Sequence, residues 1–566
     1  MTLLLLIITG VAAQSLAVTN LTLNGVLRSP VIGLDSFFQK NPRFSWSVLG
    51  GLQVGYQLTV QSKTGTQWDS GLVNSTISTQ IPYSGAALSF DADYSWFVKV
   101  SFSSGSSATS QLAFFTTGLD SEVWASEAVW MGGCTAGQAS PQLRFSFQLS
   151  SSSIERAVAY ASGLGLYTLH INGKRVGGGV DVLSPGWSTV PTVRVIANGY
   201  DVLTFLQEGE NVVGMRLGQG KYGYVHEFCA NGDATCYAGL FNLGITQAGG
   251  NLTRVQSSEK WECAPSPIVF NHLFDGESYN ASLDQAGWDE PGFTPSLPWV
   301  PVTIQHPNVS ALSSGVPPIQ TQANITPLSV TQLGGGGTPY IGNGEFIIAP
   351  SSPNVYWWAN GTTVKNFLSQ CTPCPGIDAC GNLHSVTDSF MASLATGVNF
   401  TCAMLPTINT SSFVFDLGRN MAGVCSLALP PELPPGTTLT LVHGEILTQS
   451  GSVLNTYGTS GVHRGCAENI INCADQMDSY TYGSRPPITP AFTPSFTFHG
   501  FRYVGLFGLP STAPPPSVGS LLCHRQYSAM DDAGGLSFNS SFSVLNDLQA
   551  AIVATQKSNL FSIASE

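Results

Sequence analysis

The sequence predicts a mainly β protein that consists of several β-sandwich domains in tandem and ends in one amphipathic helix. Many short stretches alternate apolar and polar residues at period two, which is typical of strands with one buried face. The 61 Gly and 34 Pro residues supply turns between these strands. At 566 residues the chain is too long for a single hydrophobic core, so we expect three or four domains.

The composition excludes some classes of partner. Hydrophobic residues make up 43% of the chain, charged residues make up 10%, and the formal net charge is −13. This negative charge argues against nucleic acid, whose phosphates require a basic surface. It is compatible with neutral sugars. After the N-terminal run, no stretch reaches the roughly 18 apolar residues that a membrane span needs.

The N-terminus and the sequons predict a secreted glycoprotein. Residues 3–13 form a short apolar run, and small residues suited to cleavage follow near Ala13 or Ala17. No Lys or Arg precedes this run, so a buried N-terminal strand is the alternative to a signal peptide. Ten Asn-X-Ser/Thr sequons lie at Asn20, Asn74, Asn251, Asn280, Asn308, Asn324, Asn360, Asn399, Asn409 and Asn539.

The even number of cysteines, twelve, favours disulfides in an oxidising compartment. The close pairs Cys229/Cys236 and Cys466/Cys473 are candidate loop staples. The cluster Cys371, Cys374, Cys380 and Cys402 contains a Cys-x-x-Cys spacing that also suits zinc. With export expected, we favour disulfides there. The connectivity stays open.

The first 118 residues contain the pattern of a small sandwich similar to fibronectin type III modules. Residues 42–48, 55–60 and 94–100 alternate at period two. We interpret their Trp and Tyr residues as core anchors, with sugar-stacking platforms as the alternative.

A second all-β unit follows, in which Asn172-Gly173 predicts a type I′ hairpin. The Gly-rich turn at 214–223 resembles a phosphate loop, but it lacks the Gly-Lys-Ser/Thr ending, and we expect no helix after it. Asp275 and Glu277 lie on the same face of an extended segment. They are candidates for calcium binding or for chemistry, but we favour a role in capping a loop and binding backbone amides.

Residues 306–410 are rich in Gly, Pro and Cys and predict loops or an insertion, with a strand at 355–358. The alternation becomes clear again at 413–423, 437–447 and 496–510.

Two pairs of polar residues in these strands are candidate sites. His443 and Glu445 share one face of a strand, which suits acid–base work or, as we favour, a strand-edge hydrogen-bond pair. We expect His499 and Arg502 to brace this sandwich against its neighbour.

Leu545, Leu548 and Ile552, at spacings of three and four, predict an amphipathic helix over 542–556, with Ser541 or Ser543 as N-cap. If no partner helix packs against it, its apolar stripe stays exposed.

Four blocks in this order resemble the β-domains of bacterial-type α-L-rhamnosidases of glycoside hydrolase family 78. The blocks are residues 414–425, 443–447, 475–482 and 496–510. The stretch from 143 to 302 is similar to the N-terminal jelly roll of the same family, a module that resembles carbohydrate-binding domains. The resemblance implies concanavalin-like and jelly-roll domains before a catalytic (α/α)6 barrel, whose first helix is the one at 542–556.

The expected domains follow from these patterns. They are a signal peptide at 1–17, a fibronectin III-like sandwich at 18–118, the jelly roll at 119–305, a connection or insertion at 306–410, the concanavalin-like sandwich at 411–511 and the start of the barrel at 512–566.

The resemblance also implies the reaction, the hydrolysis of terminal α-L-rhamnose from glycosides with inversion. Inversion needs an acid and a base about 6.5–9.5 Å apart, and in the family both come from the barrel. At the corresponding Pro-Thr-Asp-Cys-Pro-type motif this sequence has Ala564, Ser565 and Glu566, to which we carry no role.

We therefore assign no catalytic, cofactor-binding or metal residue, and we expect a truncated barrel and an inactive chain. The expected partners are rhamnose-containing glycosides or polysaccharides. The alternative function is that of a secreted, non-catalytic carbohydrate-binding or adhesive protein.

Overall fold

The computed structural model of the protein shows a mainly β chain, as predicted. It describes residues 15–26, 31–34, 42–120, 123–124, 128–134, 140–150, 153–187, 194–225, 237–307, 309–313, 317–333, 340–341, 346–347, 410–447, 453–455, 476–529 and 542–564. The strand expected at 355–358 lies outside these residues.

The N-terminal domain is a two-sheet sandwich. Its strands are β1 (Ala17–Leu23), β2 (Val31–Leu34), β3 (Arg43–Leu49), β4 (Gln53–Ser62), β5 (Gly65–Asp69), β6 (Ile81–Pro82), β7 (Asp93–Phe102), β8 (Ser107–Thr109) and β9 (Ala113–Thr117). One sheet has the order β1-β3-β6, and the other has the order β2-β9-β7-β4-β5, with β8 on β7. Phe44 contacts Trp96 with ring centroids 4.8 Å apart, and both rings are buried. Trp96 is therefore a core anchor, as we interpreted it.

The second domain is the predicted larger all-β unit. Its strands are β10 (Trp130–Met131), β11 (Pro141–Leu149), β12 (Ile154–Leu164), β13 (Leu166–Ile171), β14 (Lys174–Arg175), β15 (Arg194–Asp201), β16 (Gly209–Gly218), β17 (Ala238–Gln247), β18 (Leu252–Gln256), β19 (Glu262–Pro265), β20 (Ile268–His272), β21 (Gly276–Asn280), β22 (Val300–Pro301), β23 (Ile304–Gln305) and β24 (Ser310–Ser313). The order β23-β10-β17-β12-β15-β24, with β18 on β17, faces the order β14-β13-β16-β11-β19-β22. Short 3₁₀ turns lie at Leu203–Phe205 and Ala281–Leu283.

The Asn172-Gly173 hairpin is confirmed. Both residues have positive φ, 51° and 75°, and they join β13 to β14 with Ile171 opposite Lys174. Positive φ at both central residues is what a type I′ turn requires.

The third region is organised around one long, bent strand. Its strands are β25 (Ile319–Ile325), β26 (Ser329–Gln332), β27 (Tyr340–Ile341), β28 (Phe346–Ile347), β29 (Thr410–Ala428), β30 (Thr438–Gly444), β31 (Ile446–Leu447), β32 (Val453–Asn455), β33 (Met477–Thr481), β34 (Ala491–Phe492), β35 (His499–Pro510) and β36 (Leu521–Ser528). The main sheet has the order β20-β21-β33-β30-β35-β29-β36-β25, with β26 and β34 on β29, and a small sheet has the order β28-β27-β32-β31. A 3₁₀ turn lies at Val518–Ser520.

The hairpin β20–β21 lies in the sequence of the expected jelly roll and yet completes the main sheet of the third region. Strand β21 pairs in parallel with β33, with Ser278 opposite Ser479. Strand β25, from the expected connection, pairs antiparallel with β36 at the other end of the same sheet. The second and third regions therefore share a sheet.

Phe496 anchors the junction between these regions. Its side chain is fully buried in a cluster with Leu166, Trp187 and Leu273. It lies so close to Gly218 that a Cβ there would be 2.4 Å from the Phe496 ring, so only Gly fits at position 218. Strand β35 begins at His499 rather than at Phe496 because residues 496–498 turn into this junction, where Thr497 donates to the Leu273 carbonyl.

Apart from a helical fragment at 123–124, the described residues contain two helices. Helix α1 spans Gly220–Val225, and helix α2 spans Ser543–Ser558, followed by the hairpin β37 (Leu560–Phe561) and β38 (Ile563–Ala564). The predicted helix is confirmed, and its stripe is exposed, since Leu548 and Ile552 are 55% and 52% accessible. Its N-cap is Phe542 and makes no side-chain cap, which corrects the expected Ser543 cap, whereas Ser541 lies outside the described residues. No helix in the described ranges is both long and apolar enough to cross a membrane.

Candidate functional site: a polar cavity between two β-domains

A cavity of about 610 Å³ opens where the jelly-roll region meets the main sheet of the third region. One wall comes from Arg175 and the loop 178–183, and the opposite wall comes from β25, β29, β36 and residues 493–497. This size falls within the range of small-molecule sites in proteins. Most of the polar groups that face it are hydroxyls and amides, from Thr321, Gln322, Asn324, Ser426, Thr493, Ser495, Thr497 and Gln526.

Three side chains from three strands form a hydrogen-bonded chain along the cavity. The Nε2 atom of His524 lies 2.6 Å from the Ser426 hydroxyl, and its Nδ1 atom lies 2.8 Å from Asn324 Oδ1. The amide oxygen can only accept, so Nδ1 carries the proton and Nε2 accepts from Ser426. Burial lowers the pKa of His524 below its usual value, which favours this neutral form.

The sheet register brings these residues together. His524 is the cross-strand partner of both Val424 and Asn324, so β36 places its imidazole between β29 and β25. The Ser426 hydroxyl also lies 2.5 Å from the Thr493 hydroxyl. The arrangement Ser–His–Asn is similar to the Ser–His–Asp and Cys–His–Asn triads of nucleophilic enzymes. However, the second contact of Ser426 holds its hydroxyl as part of a network, which suits recognition of a polar ligand.

Arg175 supplies a positive charge to the wall that faces this hydrogen-bonded chain. Burial lowers the pKa of its guanidinium, although the nearby charges of Asp181 and Glu277 act in the other direction. The carboxylate of Asp181 accepts from Gln320 at 2.7 Å. Arg175 therefore offers N–H donors toward the cavity, as a site for a polyol or a carboxylate would require.

Sequence reasoning missed this group of residues. From the sequence, Asn324 was identified only as a glycosylation sequon, and His524 only as part of the last predicted strand. Ser426 and His524 are 98 residues apart, and Asn324 is 200 residues from His524. Neither a motif nor a period links residues at such separations, so only the strand pairing could have shown them.

The Asp275/Glu277 pair takes the loop-capping role that we favoured. Glu277 Oε2 accepts from the backbone N–H groups of Ser495 and Phe496, both at 3.0 Å, and burial raises its pKa to about 8. Asp275 contacts His272 at 2.8 Å. Calcium requires oxygen ligands around it, so a carboxylate bound to N–H donors does not fit the calcium alternative.

The predicted His443–Glu445 pair is not formed, which corrects the strand-edge interpretation. Glu445 Oε1 lies 2.5 Å from Asn420 Nδ2. His443 is buried, and its Nδ1 lies 3.0 Å from the Gln476 carbonyl. Burial, together with neighbouring His499, lowers the pKa of His443 to about 3. The side chains diverge because β30 ends at Gly444.

The predicted brace from His499 and Arg502 is also corrected. Arg502 binds Asp416 within the same sheet through two contacts of 2.9 Å. His499 lies 3.0 Å from Asp478, also within this sheet. The contact with the neighbouring region comes instead from Phe496 and from Phe498, whose ring centroid lies 6.0 Å from that of Trp187.

Helix α1 begins at Gly220, within the Gly-rich stretch 214–223, which corrects our expectation of no helix, although the Ser/Thr of a phosphate loop is still missing. Among the described cysteines, Cys134–Cys263 and Cys425–Cys523 form disulfides. The proposed pairs Cys229/Cys236 and Cys466/Cys473 and the Cys371–Cys402 cluster lie outside the described residues.

Three domain families match the chain in sequence order. Residues 29–121 match a Rha78A-like, N-terminal immunoglobulin domain, residues 152–323 match the α-L-rhamnosidase N-terminal domain, and residues 406–524 match the bacterial α-L-rhamnosidase concanavalin-like domain. The chain belongs to the bacterial-type α-L-rhamnosidase family. The first match is of the immunoglobulin type, where we expected fibronectin III, and both are β-sandwiches.

Curated relatives agree with this family. An α-L-rhamnosidase of Streptomyces avermitilis is 28% identical over 438 residues, which cover 77% of this chain and 33% of the relative. One of Formosa agariphila is 25% identical over 575 residues, which cover 97% of this chain and 50% of the relative. The chain thus spans a third to a half of the length of these relatives.

A solved structure shows the same fold. The crystal structure of the Streptomyces avermitilis α-L-rhamnosidase complexed with L-rhamnose superposes with a TM-score of 0.68 at 21% identity. The superposition covers 97% of this chain and 61% of that chain.

Proposed function

We propose that this chain supplies the β-domains of a secreted enzyme that hydrolyses terminal, non-reducing α-L-rhamnose from glycosides or polysaccharides with inversion. The observation that carries the proposal is the ordered match of three rhamnosidase domain families along one chain. The two disulfides support secretion, since such bonds persist in oxidising compartments.

The described β-domains support the reaction rather than perform it. Inversion needs an acid and a base on opposite faces of the sugar. The strongest carboxylate candidate of the sequence, Glu277, is fully buried and occupied by two backbone N–H groups. Helix α2 instead presents Leu545, Leu548 and Ile552 to solvent. This stripe fits the surface on which helices of an (α/α)6 catalytic barrel would pack.

The cavity favours a second role, binding of a neutral saccharide by the β-domains themselves. Its walls offer hydroxyl, amide and guanidinium groups that match the hydroxyls of a sugar. Its volume exceeds that of one monosaccharide, so a disaccharide or a short glycoside fits. Such a site would hold a substrate chain near a catalytic domain.

The test of hydrolysis uses two proteins. One is the 566-residue chain, and the other is the longest product of its transcript, sequenced across codon 566. We expect the longer product to release nitrophenol from p-nitrophenyl α-L-rhamnoside and, by NMR, to form β-L-rhamnose first. Formation of the α anomer first, or inactivity of a folded product that contains the barrel, would refute the proposed reaction. Release by the 566-residue chain would refute the supporting role.

Calorimetry with L-rhamnose tests the binding role separately. Asn324→Ala and His524→Ala are expected to abolish heat of binding that the unaltered chain shows. Lys174→Ala is the control, because Lys174 is exposed and precedes Arg175 in the β13–β14 hairpin. This variant should keep the heat of binding. Equal binding by all four proteins would rule out the cavity as the site.

A further inference from the structure

The walls of the cavity contain one cation and one residue that becomes a cation in acid. Arg175 lies on one wall, and His524 lies on the facing wall. Among the described residues that line the cavity there is no Asp or Glu. The formal net charge of the whole chain is −13. The cavity therefore differs in sign from the chain as a whole, which a neutral ligand alone does not require.

The hydrogen bonds of His524 define its neutral state. Nδ1 carries a proton, because Asn324 Oδ1, 2.8 Å away, can only accept. Nε2 then accepts from the Ser426 hydroxyl at 2.6 Å. In this state the ring is uncharged, and the hydroxyl hydrogen of Ser426 is used within the protein. The wall around His524 then offers neutral donors and acceptors, which suit a neutral sugar.

A second proton on His524 changes this wall in two ways. Nε2 becomes a donor to the Ser426 oxygen, so Ser426 no longer donates to the ring. Its O–H group is released and can donate to Thr493, whose hydroxyl oxygen lies 2.5 Å away, or to a ligand. The imidazolium also adds a full positive charge opposite Arg175. One added charge and one released hydroxyl donor both favour an anionic ligand.

The elements around His524 supply no carboxylate against this charge, within the part of the chain that the structure describes. Its ring contacts Ser426 of β29 and Asn324 of β25, and neither side chain ionises. Residues 493–497 contain no ionisable side chain. Burial, rather than a charged neighbour, lowers the pKa of His524. A bound anion would therefore be the group that balances the imidazolium.

Two carboxyl groups lie near the other cation. Asp181 and Glu277 act on Arg175 and oppose the effect of burial on its pKa, but neither lines the cavity. Asp181 accepts from Gln320 at 2.7 Å, and Glu277 accepts from two backbone N–H groups. They moderate the charge of the guanidinium and are themselves held by other donors. The N–H groups of Arg175 thus stay suited to a ligand carboxylate.

From this geometry we propose that the cavity binds a uronate, a sugar that carries a carboxylate, when His524 is protonated. The inference rests on the saccharide-binding role proposed above and adds the class of ligand that the acidic state selects. Both cations attract the carboxylate, and the ring hydroxyls bind the amide and hydroxyl groups of the walls. A cavity of about 610 Å³ leaves room for a second sugar beside the uronate.

Proton binding and uronate binding are linked. His524 takes up its second proton below about pH 6.5, since burial places its pKa under the usual value. Only the protonated fraction of the chain binds the anion well, so the apparent affinity rises as the pH falls toward that pKa. The bound uronate in turn raises the pKa of His524. A neutral sugar gains nothing from the added charge and has no such preference.

Calorimetry with D-glucuronate and D-galacturonate tests this inference, with D-glucose and D-galactose as their neutral counterparts. We expect the association constant of at least one uronate to rise at least about tenfold from about pH 7.5 to about pH 5. Buffers with different ionisation enthalpies should show that protons are taken up on binding. The association constants of the neutral sugars should stay unchanged over this range.

Two variants assign the pH dependence to one residue. His524→Gln should abolish it, because the amide side chain stays neutral. His306→Gln, at an exposed position outside the cavity lining, is the matched control and should keep it. An NMR titration of the His524 ring in the unaltered chain applies even if His524→Gln fails to fold. Uronate should raise the pKa of this ring, and the neutral sugars should leave it unchanged.

Two results would overturn the inference. One is an affinity for both uronates that does not rise in acid, and the other is an unchanged pH dependence in folded His524→Gln. Binding of L-rhamnose at pH 7.5 without any gain for the uronates at pH 5 would refute this inference alone. Failure of L-rhamnose to bind at pH 7.5 would refute the neutral-saccharide role instead.

Discussion

Glu277 Oε2 accepts a hydrogen bond of 3.0 Å from the backbone N–H of Phe496, although 219 residues separate the two. The same oxygen accepts from Ser495, so one carboxylate fixes the segment that leads into β35. Phe496 is therefore held in position against Gly218 by a side chain of the hairpin β20–β21.

Glu277→Ala should destabilise the chain by about 1–3 kcal/mol, because two backbone N–H groups lose their acceptor in a buried place. Glu277→Gln should cost less, since the amide keeps a carbonyl oxygen. Urea unfolding followed by Trp fluorescence measures both. Glu259→Ala, at an exposed position, is the control. The interpretation fails if Glu277→Ala changes the free energy of unfolding no more than Glu259→Ala does.

The Cys425–Cys523 disulfide should contribute strongly to stability. It joins the neighbouring strands β29 and β36 of the main sheet and links residues that are 98 apart in sequence. Replacing both cysteines with Ala is expected to lower the free energy of unfolding by about 2–5 kcal/mol.

Peptide mapping without reductant should recover Cys425 and Cys523 in one linked peptide. The Cys134/Cys263 double Ala variant is the comparison. Its loss of stability should affect the jelly-roll region, in which this disulfide lies. Recovery of Cys425 and Cys523 in separate, unlinked peptides would contradict the assignment.

The Asp416–Arg502 pair predicts a pH dependence. Hydrogen bonding to Arg502 holds the pKa of Asp416 below its usual value, so the folded state binds this proton less readily than the unfolded state. Its stabilisation is present above the unfolded pKa of about 3.9 and is lost as pH falls through the lower folded value.

Melting temperatures of the unaltered chain and of Asp416→Asn test this dependence. The two should differ at pH 7 and converge as the pH falls below 4. The effect should be modest, because the pair is partly exposed. A difference that is constant with pH would argue against the ion pair as its source.

The exposed stripe of α2 predicts self-association of the 566-residue chain. Leu548→Ser with Ile552→Ser should reduce light scattering without lowering the melting temperature, because both side chains are more than half exposed. Leu506→Ala, at a position 2% exposed, should instead cost about 2–5 kcal/mol. Unchanged scattering in the double variant would show that the stripe is not the adhesive surface.

Local patterns predicted local structure well. The alternation of residues 496–510 gave β35 to within three residues, the Asn172-Gly173 pair gave its hairpin, and the spacing of Leu545, Leu548 and Ile552 gave α2. In each case the decisive contacts lie within a few residues, where period and turn chemistry act directly.

The partners of buried polar residues could not be predicted in this way. Period two predicted that His443 and Glu445 share one side of a strand, although β30 ends at Gly444. It could not predict that Asp478 and His499 lie next to His443. Similarly, Arg502 was expected to face the neighbouring domain and binds Asp416 instead. Alternation determines a face, whereas the neighbour across that face depends on the order of strands in the sheet.

The parallel pairing of β21 with β33 has a consequence for biosynthesis. The backbone N–H of Glu277 can form its hydrogen bond to Asp478 only after Asp478 has left the ribosome, 201 residues later. Until then the hairpin β20–β21 exposes an unpaired strand edge beside a finished jelly roll, and such edges invite pairing with other chains. The nascent protein is therefore most vulnerable to misassembly in that interval, and a chaperone that shields strand edges would act at this stage of translation.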